Sequence, residues 1–276
     1  MGLRINQNIA ALNAYRNLTV SDSNMAKSLE KLSSGFRINR AADDAAGLVI
    51  SENLRAQVNG LKVAVRNAQD GISVVQTAEG ALTEVHALLQ RMRELAVQAA
   101  NTGSNDATAR QAAADEVTQA IAELDRIGQA TNFNGTQLLA DSTTVFTFQV
   151  GASGSSVNQV TFTITAVSST ALTLGSVASQ VANGDTAAIQ TIDDAIAAVS
   201  TVRGTLGAYQ NRFEHTIANL NVAIENLAAS ESRIRDTDMA LEMTNFTKQQ
   251  ILVQAGTAML AQANAAPQSV LQLLRG

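Results

Sequence analysis

The chain holds 276 residues, with 24 acidic against 19 basic side chains and a net charge of −5. It has no cysteine and two histidines, which excludes disulfides, thiolate metal sites and cysteine nucleophiles and leaves little for a histidine-rich metal centre. The acidic balance argues against a nucleic-acid coat, while one proline and 3% aromatics beside 46% hydrophobics point to long helices built on Ala, Leu, Val and Ile.

The first residues, MGLRINQNIAALNAYRNL, are interrupted by Arg4, Asn6, Gln7 and Asn8 and lack the apolar run of a cleaved signal peptide. No stretch reaches the roughly 18 uninterrupted apolar residues of a membrane span, so general rules alone predict a cytoplasmic protein. Ile5, Ile9 and Leu12, then Met25, Leu29, Leu32 and Phe36, form an amino-terminal helical stripe. Asp43 and Asp44 are expected at the start of the next helix. That helix carries apolar or alanine positions at Leu54, Val58, Leu61, Val65, Ala68, Ile72, Val75, Ala78, Leu82, Val85, Leu89, Met92, Ala96 and Ala99. Their spacing is a near-continuous heptad seam, predicting a helix roughly 65–70 Å long over these positions. NTGSND, from Asn101, ends it with turn-forming residues. A shorter helix to about Ala130 follows, with Val117, Ile121, Leu124 and Ile127 on one face.

The centre differs. Residues 142–184 contain no Asp, Glu, Lys or Arg. Phe146, Phe148 and Val150 alternate with Thr147 and Gln149, and Val160, Phe162 and Ile164 alternate with threonines, predicting two half-buried strands joined by the loop GASGSSVNQ. After the centre the seam returns through Ile189, Ile192, Ile196, Val199, Leu206, Phe213, Ile217, Leu220, Ile224, Leu227 and Ile234. Met239, Met243, Phe246, Val253, Leu260, Val270 and Leu274 mark a carboxyl-terminal helix, in which Leu271 is a further apolar position. The expected fold is mainly α: an elongated antiparallel bundle of long coiled-coil helices, a small central β-hairpin, and both termini paired at one end. Each terminal stripe is too thin to bury itself and needs a partner, either the other terminus or another subunit.

Catalytic patterns are missing: the sequence has no HExxH, no phosphate-binding glycine loop and no GxSxG elbow. His86 and His215 read as solvated helix residues, and Met25, Met92, Met239, Met243 and Met259 read as core packing. No enzyme activity and no cofactor or metal are expected.

Long motifs identify a resemblance. SLEKLSSGFRINRAADDAAGLVISENLRAQVNGL from Ser28 and QDGISVVQTAEGALTEVHALLQRMRELAVQAANTG from Gln69 resemble the amino-terminal signature of bacterial flagellins. ESRIRDTDMALEMTNFTKQQILVQAGTAMLAQANAAPQSVLQLLRG from Glu231 resembles the carboxyl-terminal one, and FNG at Phe133 and GAYQNRFEHTIANL from Gly207 are also similar. The resemblance implies a filament subunit for motility. Residues 1–42 and 235–276 would form an inner coiled-coil domain, and residues 43–234 a rod domain with its β element at about 141–185 and no outer variable domains. It implies a polymerisation core of Ile5, Ile9, Leu12, Leu29, Leu32, Met239, Met243, Phe246, Val253, Leu260, Leu271 and Leu274. It further implies flagellar type III export to an extracellular filament, in place of the cytoplasmic expectation. Other flagellin copies, filament cap and hook–filament junction proteins are the implied neighbours. An export chaperone would hold the segment containing Ile251, Leu260 and Leu274. A flagellin-sensing Toll-like receptor would contact Gln90, Arg91 and Leu95, with Glu116 the best match for a further glutamate and Asp115 competing. The alternatives are a hook–filament junction protein, or a secreted monomeric receptor ligand or adhesin.

Overall fold

The computed structural model describes residues 7–140 and 144–275, of which 267–275 are described as helix backbone alone. Six α-helices and four short strands occur among them: α1 (Ile9–Ser34), α2 (Ala45–Ala100), α3 (Ala107–Ala130), β1 (Asn132–Phe133), β2 (Thr136–Gln137), β3 (Val145–Gln149), β4 (Gln159–Thr163), α4 (Val177–Asn183), α5 (Ala187–Arg235) and α6 (Met239–Arg275). The chain divides into two compact units, Met1–Gln57 with Asn226–Gly276 and Val58–Glu225, so both divisions fall inside long helices.

In the first unit α1 pairs antiparallel with α6: the Asn8 side-chain amide donates to the Ala263 carbonyl at 2.6 Å, and Leu18 lies against Gly256. Asn8 also caps α1, accepting from the Ala11 amide at 3.0 Å. Half-buried or buried positions recur at heptad spacing, Ala11, Ala14, Leu18, Ser21, Met25, Ser28 and Leu32 on α1 and Phe246, Val253, Gly256 and Leu260 on α6. Small side chains there let the helices approach closely, and a Cβ at Gly256 would meet Leu18 Cδ1 at 3.2 Å. The connectors after α1 and α5 are laced together. Arg37 N–H donates to the Arg235 carbonyl at 2.6 Å and Thr237 N–H to the Gly35 carbonyl at 3.0 Å. The Arg235 guanidinium stands 4.6 Å from the centre of the Phe36 ring and donates to Glu52 Oε1 at 2.9 Å. Asp44 caps α2 by accepting from Gly47 N–H at 2.9 Å, whereas Asp43 closes the preceding turn by accepting from the Asn39 and Arg40 amides at 3.1 and 3.0 Å.

In the second unit α2 and α5 run antiparallel, as their cross-contacts show. Phe213 packs on Gly71, Arg203 pairs with Glu79 at 2.9 Å, and Arg93 pairs with Asp193 at 2.6 Å. Most of the predicted seam is core: Ala68, Val75, Ala78, Leu82, Val85, Leu89, Met92, Ala96 and Ala99 are buried on α2 in one cluster with Val117 and Leu124 of α3 and a heptad row of Ile192, Val199, Leu206 and Phe213 on α5. Val58 is buried outside that cluster, and Leu54, Leu61, Val65 and Ile72 are half-buried. Because α2 is covered by more than one neighbour, Gly71, Val74 and Leu95 are also buried off the seam.

The predicted hairpin is present as β3 and β4, antiparallel with Phe146 opposite Phe162 and Phe148 opposite Val160. Its aromatic face closes the core: Phe162 stacks on Tyr209 at 4.8 Å between centroids, and Phe148 meets Phe213 edge-on at 5.6 Å. A second, tighter hairpin joins β1 to β2 through Asn134 and Gly135, with φ of 49° and 81°. This left-handed pair is what Asn-Gly supplies most readily in a two-residue turn.

Two sequence readings are corrected. His86 is half-buried rather than solvated: Nε2 lies 3.0 Å from Gln90 Nε2, while Nδ1 is buried without a partner. Of the methionines expected in the core, Met92 is there and Met25 is half-buried, but Met239, Met243 and Met259 are exposed on α6, where α1 covers a different face.

Candidate functional site

Two surfaces carry the residues singled out in the sequence. The first belongs to the α1–α6 pair. Every buried hydrophobic residue in the described chain except Ile38 lies in the second unit, so the first unit has almost no core of its own. It presents apolar side chains to solvent instead. Ile9 is 58% exposed, Leu12 59% and Leu29 56% on α1, with Met239, Met243 and Ile251 on α6 similarly open. Leu32, Phe246, Val253 and Leu260 are half-buried between or beside the helices. Ile5 lies outside the described residues, as do the side chains of Leu271 and Leu274. Met243, Thr244, Thr247, Lys248, Ile251 and Leu252 line an open groove along α6. So large an apolar area on one thin helix pair makes it the candidate association surface.

The second surface lies where α2 and α3 run side by side. Arg91 Nε donates to Glu116 Oε1 at 2.8 Å and one terminal nitrogen donates to Glu94 Oε2 at 3.2 Å. The hydrogen bond to Glu116, then that to Glu94, holds the Arg91 guanidinium further toward its charged form than usual. Asp115, the competing carboxylate, bonds Gln111 Nε2 on its own helix at 3.0 Å. Gln90 is exposed beside Arg91, whereas Leu95 is 3% exposed and belongs to the core beneath them. The fold therefore brings Gln90, Arg91 and Glu116 together at the surface and packs Leu95 behind. Sequence spacing could not choose between Glu116 and Asp115, because the register across the 101–106 turn is a tertiary property.

Among the described residues no group of three or more His, Cys, Asp or Glu could hold a metal ion, and no helix is long and apolar enough to cross a membrane. A well-packed helical unit and a terminal helix pair whose apolar face is open among the described residues have the character of a structural subunit rather than of a catalytic one.

Comparison with known proteins gives the family. Residues 5–144 match the bacterial flagellin N-terminal helical region, and residues 189–274 match the bacterial flagellin C-terminal helical region. Flagellin of Bacillus subtilis is 49% identical over 306 aligned positions, covering 99% of this chain and 100% of that protein. Flagellin of Halalkalibacterium halodurans is 52% identical, covering 98% and 99%. A solved flagellar hook-associated protein from Vibrio parahaemolyticus shares the fold at 16% identity and a TM-score of 0.58, covering 70% of this chain and 100% of that one. The chain belongs to the bacterial flagellin family and is a structural subunit of the flagellar filament. The filament relatives favour this reading over a junction protein or a monomeric ligand.

Proposed function

We propose that this subunit polymerises through the α1–α6 pair and acts, after flagellar type III export, in an extracellular filament turned as a propeller. Residues 1–42 and 235–276 are the inner layer and 43–234 the layer around it, without further outer domains. The observation that carries this reading is the contrast in burial: the second unit closes its own core, while Ile9, Leu12, Leu29, Met239, Met243 and Ile251 stay open. Burying a half-exposed side chain of this size contributes roughly 1 kcal/mol, so several together against neighbouring copies hold a polymer. Filament cap and hook–filament junction proteins, built for the same helical ends, are the neighbours at the two termini of the filament. Before export, a chaperone holds the carboxyl-terminal segment that contains the exposed Ile251, the half-buried Leu260 and Leu274.

The test places a charge on that face. Met243→Asp should leave the helical content of the monomer unchanged and prevent growth from sonicated filament fragments, judged by negative-stain electron microscopy. Long filaments from the variant would refute the assignment of α6 to the contact.

A second reading rests on the pairing of Arg91 with Glu116. We infer that Gln90, Arg91 and Glu116, with Leu95 packed beneath, form a contact for a flagellin-sensing Toll-like receptor, an exposed arginine being a frequent anchor of such interfaces. Arg91→Ala should weaken receptor activation in a cell reporter assay. An unchanged response removes the residue from the contact.

A further inference from the structure

The chain contains three Asn-Gly steps, Asn59-Gly60, Asn134-Gly135 and Asn183-Gly184. Asn-Gly is the dipeptide most open to self-catalysed loss of the side-chain amide, because the glycine nitrogen meets no side chain as it closes on the asparagine carbonyl carbon. All three asparagines are exposed, so access of water does not separate them. The state of the following amide does. Gly60 lies in the interior of the long helix α2, where its N–H is engaged in the i→i−4 ladder, and Ala152 Cβ stands 3.0 Å from where its own Cβ would be. Gly184 ends α4, with its N–H donating to the Gln180 and Val181 carbonyls. Gly135 is different: neither its N–H nor the Asn134 side chain has a hydrogen-bond partner among the described residues, and only two residues on each side pair to hold the turn.

We propose that Asn134 is a site of spontaneous deamidation in the folded subunit, an age-dependent modification at the β1–β2 turn. The Gly135 nitrogen attacks Asn134 Cγ, forming a new N–C bond. The tetrahedral carbon then expels the side-chain nitrogen, which leaves as ammonia carrying the proton from the Gly135 amide. The resulting five-membered imide takes up one water at either carbonyl, and opening gives aspartate or isoaspartate. The net change is amide plus water to carboxylate plus ammonium, with no oxidant or reductant. Both products add a negative charge. Isoaspartate also routes the backbone through one additional carbon, which breaks the register of Phe133 opposite Thr136. The effect stays local, since Phe133 is half-buried against the core and Leu138 and Leu139 anchor the far side of the hairpin.

The experiment uses the full chain, incubated folded at mildly alkaline pH and, in parallel, unfolded in concentrated urea. Proteolytic peptide mapping by mass spectrometry then follows each of the three sites with time. In the folded protein residue 134 should convert on the order of tenfold faster than residues 59 and 183, whose amides react only after local opening. In urea the three should convert at comparable rates. Conversion of residue 134 no faster than the other two in the folded protein overturns the proposal, and so does an unchanged order of rates in urea, which would make the local sequence responsible instead of the fold.

Discussion

The contact between Gly71 and Phe213 allows a test in which the sign of an effect reverses. Phe213 is fully buried and packed edge-on to Phe148, and a Cβ built on Gly71 would lie 2.7 Å from its Cζ. Gly71→Ala therefore forces the ring aside in a filled core, and overpacking of this kind costs about 1–3 kcal/mol. Phe213→Ala removes the ring and should cost about 3–5 kcal/mol through lost burial and the cavity left behind. In the Phe213→Ala background the extra methyl enters empty space. There Gly71→Ala should become neutral or stabilising by about 0.5–1 kcal/mol, the helix preference of alanine over glycine. The assay is urea denaturation of monomer, read both by helical circular dichroism and by the near-ultraviolet signal of Tyr209, which stacks at 4.8 Å on Phe162 in the same cluster. The coupling in the double-mutant cycle isolates the contact from everything else either change does. Equal costs of Gly71→Ala in the two backgrounds would refute the packing of α2 on α5 described above.

Two further predictions address single groups. The Arg40 and Asn39 amides, with Lys31 and Lys27 nearby, hold the Asp43 carboxyl below its usual range. A lowered folded value means that Asp43 stabilises the turn fully above the ordinary carboxylate range and loses that contribution as pH falls through its folded value. Its side-chain resonance should therefore titrate below that of free aspartate, and the reverse order would sink the assignment. Asp125 receives both the Ser169 amide and hydroxyl at 2.7 Å, tying α3 to the segment before α4. Asp125→Ala should cost about 1–3 kcal/mol by stranding the part-buried amide, measured by denaturation of the same monomer. A cost below about 0.5 kcal/mol would mean that water replaces the carboxylate freely.

The long helices were legible because the heptad repeat survives along most of their length, and a seam from Val75 to Ala99 or from Ile192 to Phe213 leaves one solution for which face is buried. The β3–β4 hairpin was equally legible from its alternating phenylalanines. What escaped had no period to reveal it. Two-residue strands β1 and β2 offer no alternation, and α4 is a single short helix written in Val, Ala, Ser and Gln within a charge-free stretch. In the terminal helices the pattern left the partner open, the other terminus or another subunit, and there is a physical reason for that. The pairing face of α1 uses Ala11, Ala14, Ser21 and Ser28 to bring backbones together, leaving the larger Ile9, Leu12 and Leu29 outside. Periodicity marks where apolar side chains recur but not whether the chain itself covers them. For the second surface the pairing of Arg91 with Glu116 depended on how α3 returns along α2, which no local pattern encodes.

The nearly coreless α1–α6 pair also has a consequence on the timescale of hydrogen exchange. Opening a segment costs what its burial and hydrogen bonds supply, and helices held mainly by half-covered side chains lie at the low end of that scale. In the free subunit the amides of α1 and α6 are thus expected to exchange through cheap local opening. Those of α2 and α5 beneath Leu82, Leu89, Val199 and Leu206 wait for disruption of the second unit's core. The same chain accordingly carries two clocks, a fast one at its ends and a slow one in its middle, and in the proposed assembly the fast one slows as neighbouring copies cover its apolar face.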